Sequence, residues 1–246
     1  MQIRGKRAAT ACGLMAILLW STALGLIRSV SEHFGSLAGG AMIHSLVTIF
    51  LIILLGQPNL RSSSRLHLMG GRQVFVAYEI CLTLFLGFAT NRHQAIQLGV
   101  VNNLWPCMTV LLAMLMNGQK ARWIIAPGTA LAVFGILWVV STEGLSFASI
   151  VANAESNPLS YGLALGGAVI FALYCNVTRR YAGGQNLIVL FFTLVASALW
   201  VKYLFSHEVI PAFTLSSSLV LVAASASMAG GYALWNIGIL RGNLTL

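Results

Sequence analysis

Eight stretches of this chain stay apolar for long enough to cross a bilayer, at 8–27, 37–55, 74–90, 95–116, 123–140, 159–177, 187–205 and 219–240. A hydrocarbon core about 30 Å thick takes about 17 to 25 helical residues to span. Backbone polar groups inside lipid find partners only in helices or in closed barrels. Barrel strands are short and alternate apolar with polar residues, whereas these runs are continuously apolar. The predicted fold class is therefore all-α and polytopic. With 58% hydrophobic and only 8% charged residues, the chain lies far from the roughly 25% charge of a soluble domain. The first run follows Arg4, Lys6 and Arg7, but it is too long for the apolar part of a signal peptide. It also lacks a small-residue cleavage site and precedes seven similar runs, so it reads as the first helix.

A net charge of +9 does not imply nucleic acid here, because the placement of the charges accounts for it. With the N-terminus cytoplasmic, alternating crossings put Arg4, Lys6, Arg7, Arg61, Arg65, Arg72, Lys120, Arg122, Arg179, Arg180 and Arg241 inside. Only Arg28, Arg92 and Lys202 fall outside. This positive-inside bias sets the expected orientation. Glu32, Glu143, Glu155 and Glu208 lie on the outer side, which leaves one acid, Glu79, inside a span.

The longest loop, "STEGLSFASIVANAESNP" at 141–158, separates five spans from three. A shift of 151 residues puts Trp20 on Phe171, Arg28 on Arg179, Leu86 on Ile237 and Gly87 on Gly238, and spans one to three on spans six to eight. The expected organisation is a first five-helix unit at 1–142, a connecting loop at 143–158 and a second unit at 159–246 holding three helices. Five crossings per unit would invert the second copy, as in secondary transporters whose substrate site lies near the midplane between halves. The fourth span begins near Ala95, and adding 151 reaches 246, where a ninth helix should begin. A complete second unit would need two more crossings. The eight-helix chain as written is expected to be impaired, or to act as a homodimer in which a second chain supplies the missing wall.

Glu79 lies in "VFVAYEICLTLFLGFAT". A carboxylate at a bilayer centre costs about 2.5 to 3.5 kcal/mol on insertion scales, so such a group normally faces a polar cavity or partner. It would hold a substrate ammonium or take up a proton; the bland alternative is that it snorkels toward the end near Arg72. "GVVNNLWPCMTV" gathers Asn102, Asn103, Trp105 and Pro106. A helix-interior proline leaves the carbonyl of Asn102 without its usual donor and kinks the helix. Two carboxamides and a free carbonyl suit a zwitterion, and Trp105 adds an aromatic wall. The alternative is a kinked helix whose asparagines bond its neighbours.

Aromatic and polar residues pair again at Trp20 with Ser21 and Thr22, at Tyr174 with Asn176, and at Tyr232 with Trp235 and Asn236. Lying inside spans, they suit a cavity lining better than an interfacial belt. "GLALG" at 162–166 and "AASASMAGG" at 223–231 read as close packing surfaces. Cys12, Cys81, Cys107 and Cys175 lie inside spans with no CxxC pair and read as packing residues. The five histidines show no zinc or haem spacing. No cofactor motif is present, and no nucleophile and base are paired by spacing, so no catalytic residues are assigned.

"LLWSTALGLIR", "YEICL", "GFATNRHQAI", "NNLWPCMTVLLAMLMNGQK", "ALYCNVTRRYA" and "ALWNIGILRGN", in this order, resemble the aromatic amino-acid exporters of the YddG type, in the EamA branch of the drug/metabolite transporter superfamily. The resemblance covers essentially the whole chain. It implies a ten-helix fold of two inverted five-helix units, both termini cytoplasmic, exporting aromatic and other neutral amino acids across the bacterial inner membrane. It also implies that Tyr78, Glu79, Asn103, Trp105, Trp235 and Asn236 face a central cavity. The family pattern continues past "RGNLTL" with two further helices. The expected function is a carrier working by alternating access. Tyr78, Trp105, Tyr174 and Trp235 would enclose the side chain, and Glu79, Asn102, Asn103 and Asn236 would address the ammonium and carboxylate. A transporter of the same superfamily for another metabolite or drug is the alternative.

Overall fold

The computed structural model describes residues 6–58, 63–118, 123, 125–141 and 147–241. Arg4, Arg61, Lys120, Arg122, Glu143, the 142–143 boundary and the end at 246 lie outside these, as do the side chains of Lys6, Arg7 and Arg241. The described residues form ten α-helices and no strand: α1 Lys6–Phe34, α2 Ser36–Leu55, α3 Arg72–Gly87, α4 Arg92–Asn102, α5 Trp105–Asn117, α6 Ile125–Val140, α7 Phe147–Ser156, α8 Pro158–Tyr181, α9 Ile188–Leu204 and α10 Leu215–Arg241. Six segments among them are long and apolar enough to cross a membrane, with 125–139 and 188–204 as shorter apolar helices. The protein is an all-helical, multi-pass membrane protein.

Over their described residues the eight apolar runs are mainly helical, and three of the differences from expectation have a visible local cause. The first helix runs seven residues beyond Ile27, because its last turns carry a polar network. Arg28 Nε donates to Glu32 at 3.0 Å, while its Nη1 donates to the carbonyls of Leu86 and Gly87 at 2.8 and 3.2 Å. The fourth run is broken: α4 ends at Asn102, two turn residues follow, and α5 starts at Trp105. Pro106 thus falls in the first turn of α5, where its missing N–H is no loss, rather than in a helix interior. The loop at 141–158 contains α7 and ends on Asn157, whose side chain accepts from Ser160 N at 3.3 Å and caps α8 ahead of Pro158.

In lipid, helices associate through close packing and hydrogen bonds rather than by hiding apolar surface from water. Three long pairings organise the bundle: α1 with α10, α3 with α8, and α2 with α9. Along the first, a Cβ at Gly238 would stand 3.2 Å from Gly13 Cα and 3.4 Å from the Ala9 carbonyl, so the backbones nearly touch. Ser227 Oγ donates to the Leu19 carbonyl at 2.6 Å, and Trp200 Nε1 on α9 donates to Ser45 Oγ on α2 at 3.0 Å. Ala224, Ser225 and Ala229 are buried on α10, in line with a packing role for 223–231. On α8 the small-residue surface is displaced from the expected one. Nothing lies within 4 Å of a Cβ at Gly162 or Gly166, and the buried positions are Ala164, Gly167, Ala168 and Phe171. Their spacing of three and four is that of one helix face.

Candidate functional site

The inward stripe of α3 reads Phe75, Tyr78, Glu79, Leu82 and Leu86. Helical spacing therefore turns the one intramembrane acid away from lipid. Around this stripe, α1, α3, the α4–α5 joint and α10 enclose a cavity of about 430 Å³. Trp20, Ser21, Leu24, Tyr78, Asn102, Asn103, Trp105, Met228 and Tyr232 are among the residues lining it. One side reaches the surface between α1 and α4, past Ile17 and Ile96.

The wall is aromatic and its rings meet mostly edge to face, the geometry that the ring quadrupole favours. Trp105 lies 4.9 Å from Phe171 and 4.9 Å from Trp235, at 90° and 81°. Trp20 stands 4.8 Å from Tyr232, 5.7 Å from Trp235 and 6.0 Å from Phe171. A Cβ at Gly231 would come within 2.3 Å of Trp20 Nε1, so only glycine there lets the indole sit against α10.

The polar groups divide into two layers. At the wall, Asn102 Nδ2 donates to Tyr78 Oη at 3.3 Å, and Asn103 is exposed at the α4–α5 break. Behind it, Tyr232 Oη donates to Glu79 Oε1, while Glu79 Oε2 lies 3.1 Å from His44 Nε2. Also behind it, Tyr174 Oη donates to Asn236 Oδ1 at 3.0 Å, and Asn236 Nδ2 donates to the Tyr232 carbonyl at 3.0 Å.

Of the residues singled out in the sequence, Tyr78, Asn102, Asn103 and Trp105 line the cavity, as do Trp20, Ser21 and Tyr232 from the aromatic and polar pairs. Glu79, Tyr174 and Asn236 are buried behind the wall, and Trp235 abuts it through Trp20 and Trp105. Glu79 does not snorkel; both of its oxygens have partners in the bundle. Three contributors were not among the chosen site residues: Trp20, Tyr232 and Phe171. Trp20 and Tyr232 carried the signal of an aromatic inside a span. His44 had none, since 35 residues separate it from Glu79.

The fold and cavity together define a multi-pass helical membrane protein with an aromatic-walled chamber inside its bundle. Comparison with known proteins makes that class specific. The chain is 48% identical over 239 residues to the aromatic amino acid exporter YddG of Salmonella typhimurium, covering 97% of this chain and 82% of that one. It is 46% identical over 242 residues to YddG of Escherichia coli, covering 98% and 83%. The chain belongs to the YddG family of aromatic amino acid exporters. A more distant YddG, from Ancylobacter novellus, is 27% identical over 254 residues, covering 98% and 83%. One solved crystal structure superposes with a TM-score of 0.75 at 23% identity over 98% of this chain and 83% of the other, and shares the fold. No family model matches the chain.

Proposed function

We propose that this protein is a carrier, not an enzyme, that exports aromatic and other neutral amino acids across the bacterial inner membrane by alternating access. The observation that carries the reading is a chamber of about 430 Å³ walled by Trp20, Trp105, Tyr78 and Tyr232 inside a membrane bundle. That volume lies in the range of about 300 to 1,000 Å³ common to small-molecule sites. Trp105 and Trp20 enclose the substrate ring, Asn103 and the Tyr78 hydroxyl meet its charged end, and Asn102 positions Tyr78. Glu79, Tyr174 and Asn236 act through Tyr232, which they brace from behind.

The two halves are inverted copies of one unit, one at 1–142 and the other, following a connection at 143–158, at 159–246. Support comes from the reciprocal packing of α1 on α10 and α3 on α8 about α2 and α9. The arginines matched by the 151-residue shift also do the same job. Arg28 caps the carbonyls of Leu86 and Gly87 at the end of α3, and Arg179 caps those of Ile239 and Leu240 at the end of α10. The matched pair Trp20 and Phe171 meet beside the cavity. The N-terminus is cytoplasmic by the distribution of Lys and Arg. Expression in cells that accumulate tryptophan should raise tryptophan in the medium several-fold. An unchanged medium, with the protein present in the membrane, would count against export.

A further inference from the structure

The export reading gives Glu79 and His44 no substrate contact, yet both are buried inside the bundle. His44 on α2 places Nδ1 2.7 Å from the carbonyl of Gly40 and Nε2 3.1 Å from Glu79 Oε2. A carbonyl only accepts, so Nδ1 must carry a hydrogen. If that were the ring's only N–H, the Nε2 lone pair would face a carboxylate lone pair. The contact is a hydrogen bond only when one further proton lies between Nε2 and Oε2, on either atom. Tyr232 supplies its own hydrogen to Oε1 and cannot fill that place.

With this proton the pair is neutral, as imidazolium with carboxylate or as imidazole with carboxylic acid. Without it, one negative charge stands unpaired inside the bundle, which lipid strongly disfavours. The groups that face the pair are Tyr78 from its own helix, Tyr174 from α8, Tyr232 from α10, and Phe192 of α9 stacked on the His44 ring at 5.6 Å. Among the described residues no lysine or arginine is paired with Glu79. Only a proton, or a cation brought into the adjoining chamber, can balance the charge. The chamber adjoins it directly, because Tyr232 both lines the cavity and donates to Glu79, and its hydroxyl lies beside that of Tyr78.

We propose that His44 and Glu79 form a buried site for one exchangeable proton, emptied while a substrate ammonium occupies the chamber and refilled once it leaves, so that export is paired with proton entry. This rests on the export reading. The step breaks no covalent bond other than that to the proton, which passes by way of the Tyr232 and Tyr78 hydroxyls to water in the chamber. An amino-acid zwitterion leaves and a proton enters, so one positive charge moves inward per turnover.

The test loads purified protein into vesicles holding tryptophan and a trapped pH dye, then dilutes them into tryptophan-free buffer at equal pH. The interior should acidify as tryptophan leaves, by about one proton for each tryptophan as the proton count requires, and an inside-negative potassium diffusion potential should speed the exit. In Glu79→Gln the ratio of protons to tryptophan should fall to near zero at whatever rate of exit remains. Tryptophan exit with no acidification and no response to potential overturns the proposal and leaves export standing. A wild-type ratio in a Glu79→Gln protein that still moves tryptophan overturns the assignment to this pair. No tryptophan movement by the wild-type protein removes the export reading and the proposal with it. Should Glu79→Gln fail to fold, the two wild-type readings still decide whether a proton is exchanged.

Discussion

Trp105 stands nearly perpendicular to three other rings and fronts the chamber, so its loss should be felt most by ligands that offer a ring of their own. Aromatic pairs contribute about 0.5 to 1.5 kcal/mol beyond area. Trp105→Leu should therefore weaken competition by phenylalanine and tryptophan roughly 2- to 10-fold, and by a small neutral amino acid less. Equal loss for all competitors would make Trp105 a support for the α4–α5 joint. Behind it, Tyr232→Phe leaves a buried carboxylate oxygen without its donor. Hydrogen bonds to charged groups contribute about 1.5 to 3 kcal/mol, so the variant should melt at a lower temperature in detergent. An unchanged melting temperature would show that the hydroxyl is dispensable to the fold. At this scale the sequence disclosed which residues were out of place in lipid, Glu79 above all, together with the asparagine and tryptophan cluster. It did not disclose their partners. Whether Trp20 or Trp235 fronts the chamber depends on how α1 and α10 are rotated against one another, which a close approach at Gly231 decides.

Helix ends carry the next set of expectations. Glu208, in the connection before α10, accepts from the backbone N–H groups of Leu37 and Ala38 at about 3 Å and from Ser36 Oγ, and so caps α2 from a distant part of the chain. A negative group at a helix N-terminus offsets both its unpaired donors and its dipole. Glu208→Ala should cost about 0.5 to 2 kcal/mol, read as a lower thermal midpoint, whereas Glu208→Asp should recover part of it. Arg179→Gln should loosen the end of α10, whose carbonyls at Ile239 and Leu240 it caps. Faster hydrogen exchange there, but not in α2, is the expected signature; unchanged exchange would mean that water replaces the cap at no cost. Existence and number of the apolar helices were legible because lipid admits no other backbone solution. Their ends were not. Arg28 prolongs α1 through partners on α3, and the break before Trp105 required knowing that two turn residues, rather than a kink at Pro106, would join α4 to α5.

Across the whole molecule, the aromatic chamber lies among α1, α3, the α4–α5 joint and α10. The 151-residue correspondence was read from paired arginines and small residues that recur at fixed separation, and the two-unit organisation it suggests is part of the proposal. The chamber was not readable, since it arises from the relative tilt and rotation of helices that lie far apart in the chain. If the halves rock about α2 and α9, thinning of the α1–α10 contact should impair transport. Gly238→Val, which places side-chain atoms where the Gly13 backbone now lies, should reduce transport more than Gly162→Val, which meets open space. Comparable activity of the two variants at equal expression would speak against rocking at that seam. The most direct test of the central claim is counterflow of labelled tryptophan into vesicles containing the purified protein and unlabelled tryptophan. Uptake should exceed that of protein-free vesicles and be suppressed by excess phenylalanine or tyrosine far more than by lysine or aspartate. Uptake no faster than in empty vesicles, or suppression to the same degree by all four, would contradict the assignment of this chamber to aromatic amino acids.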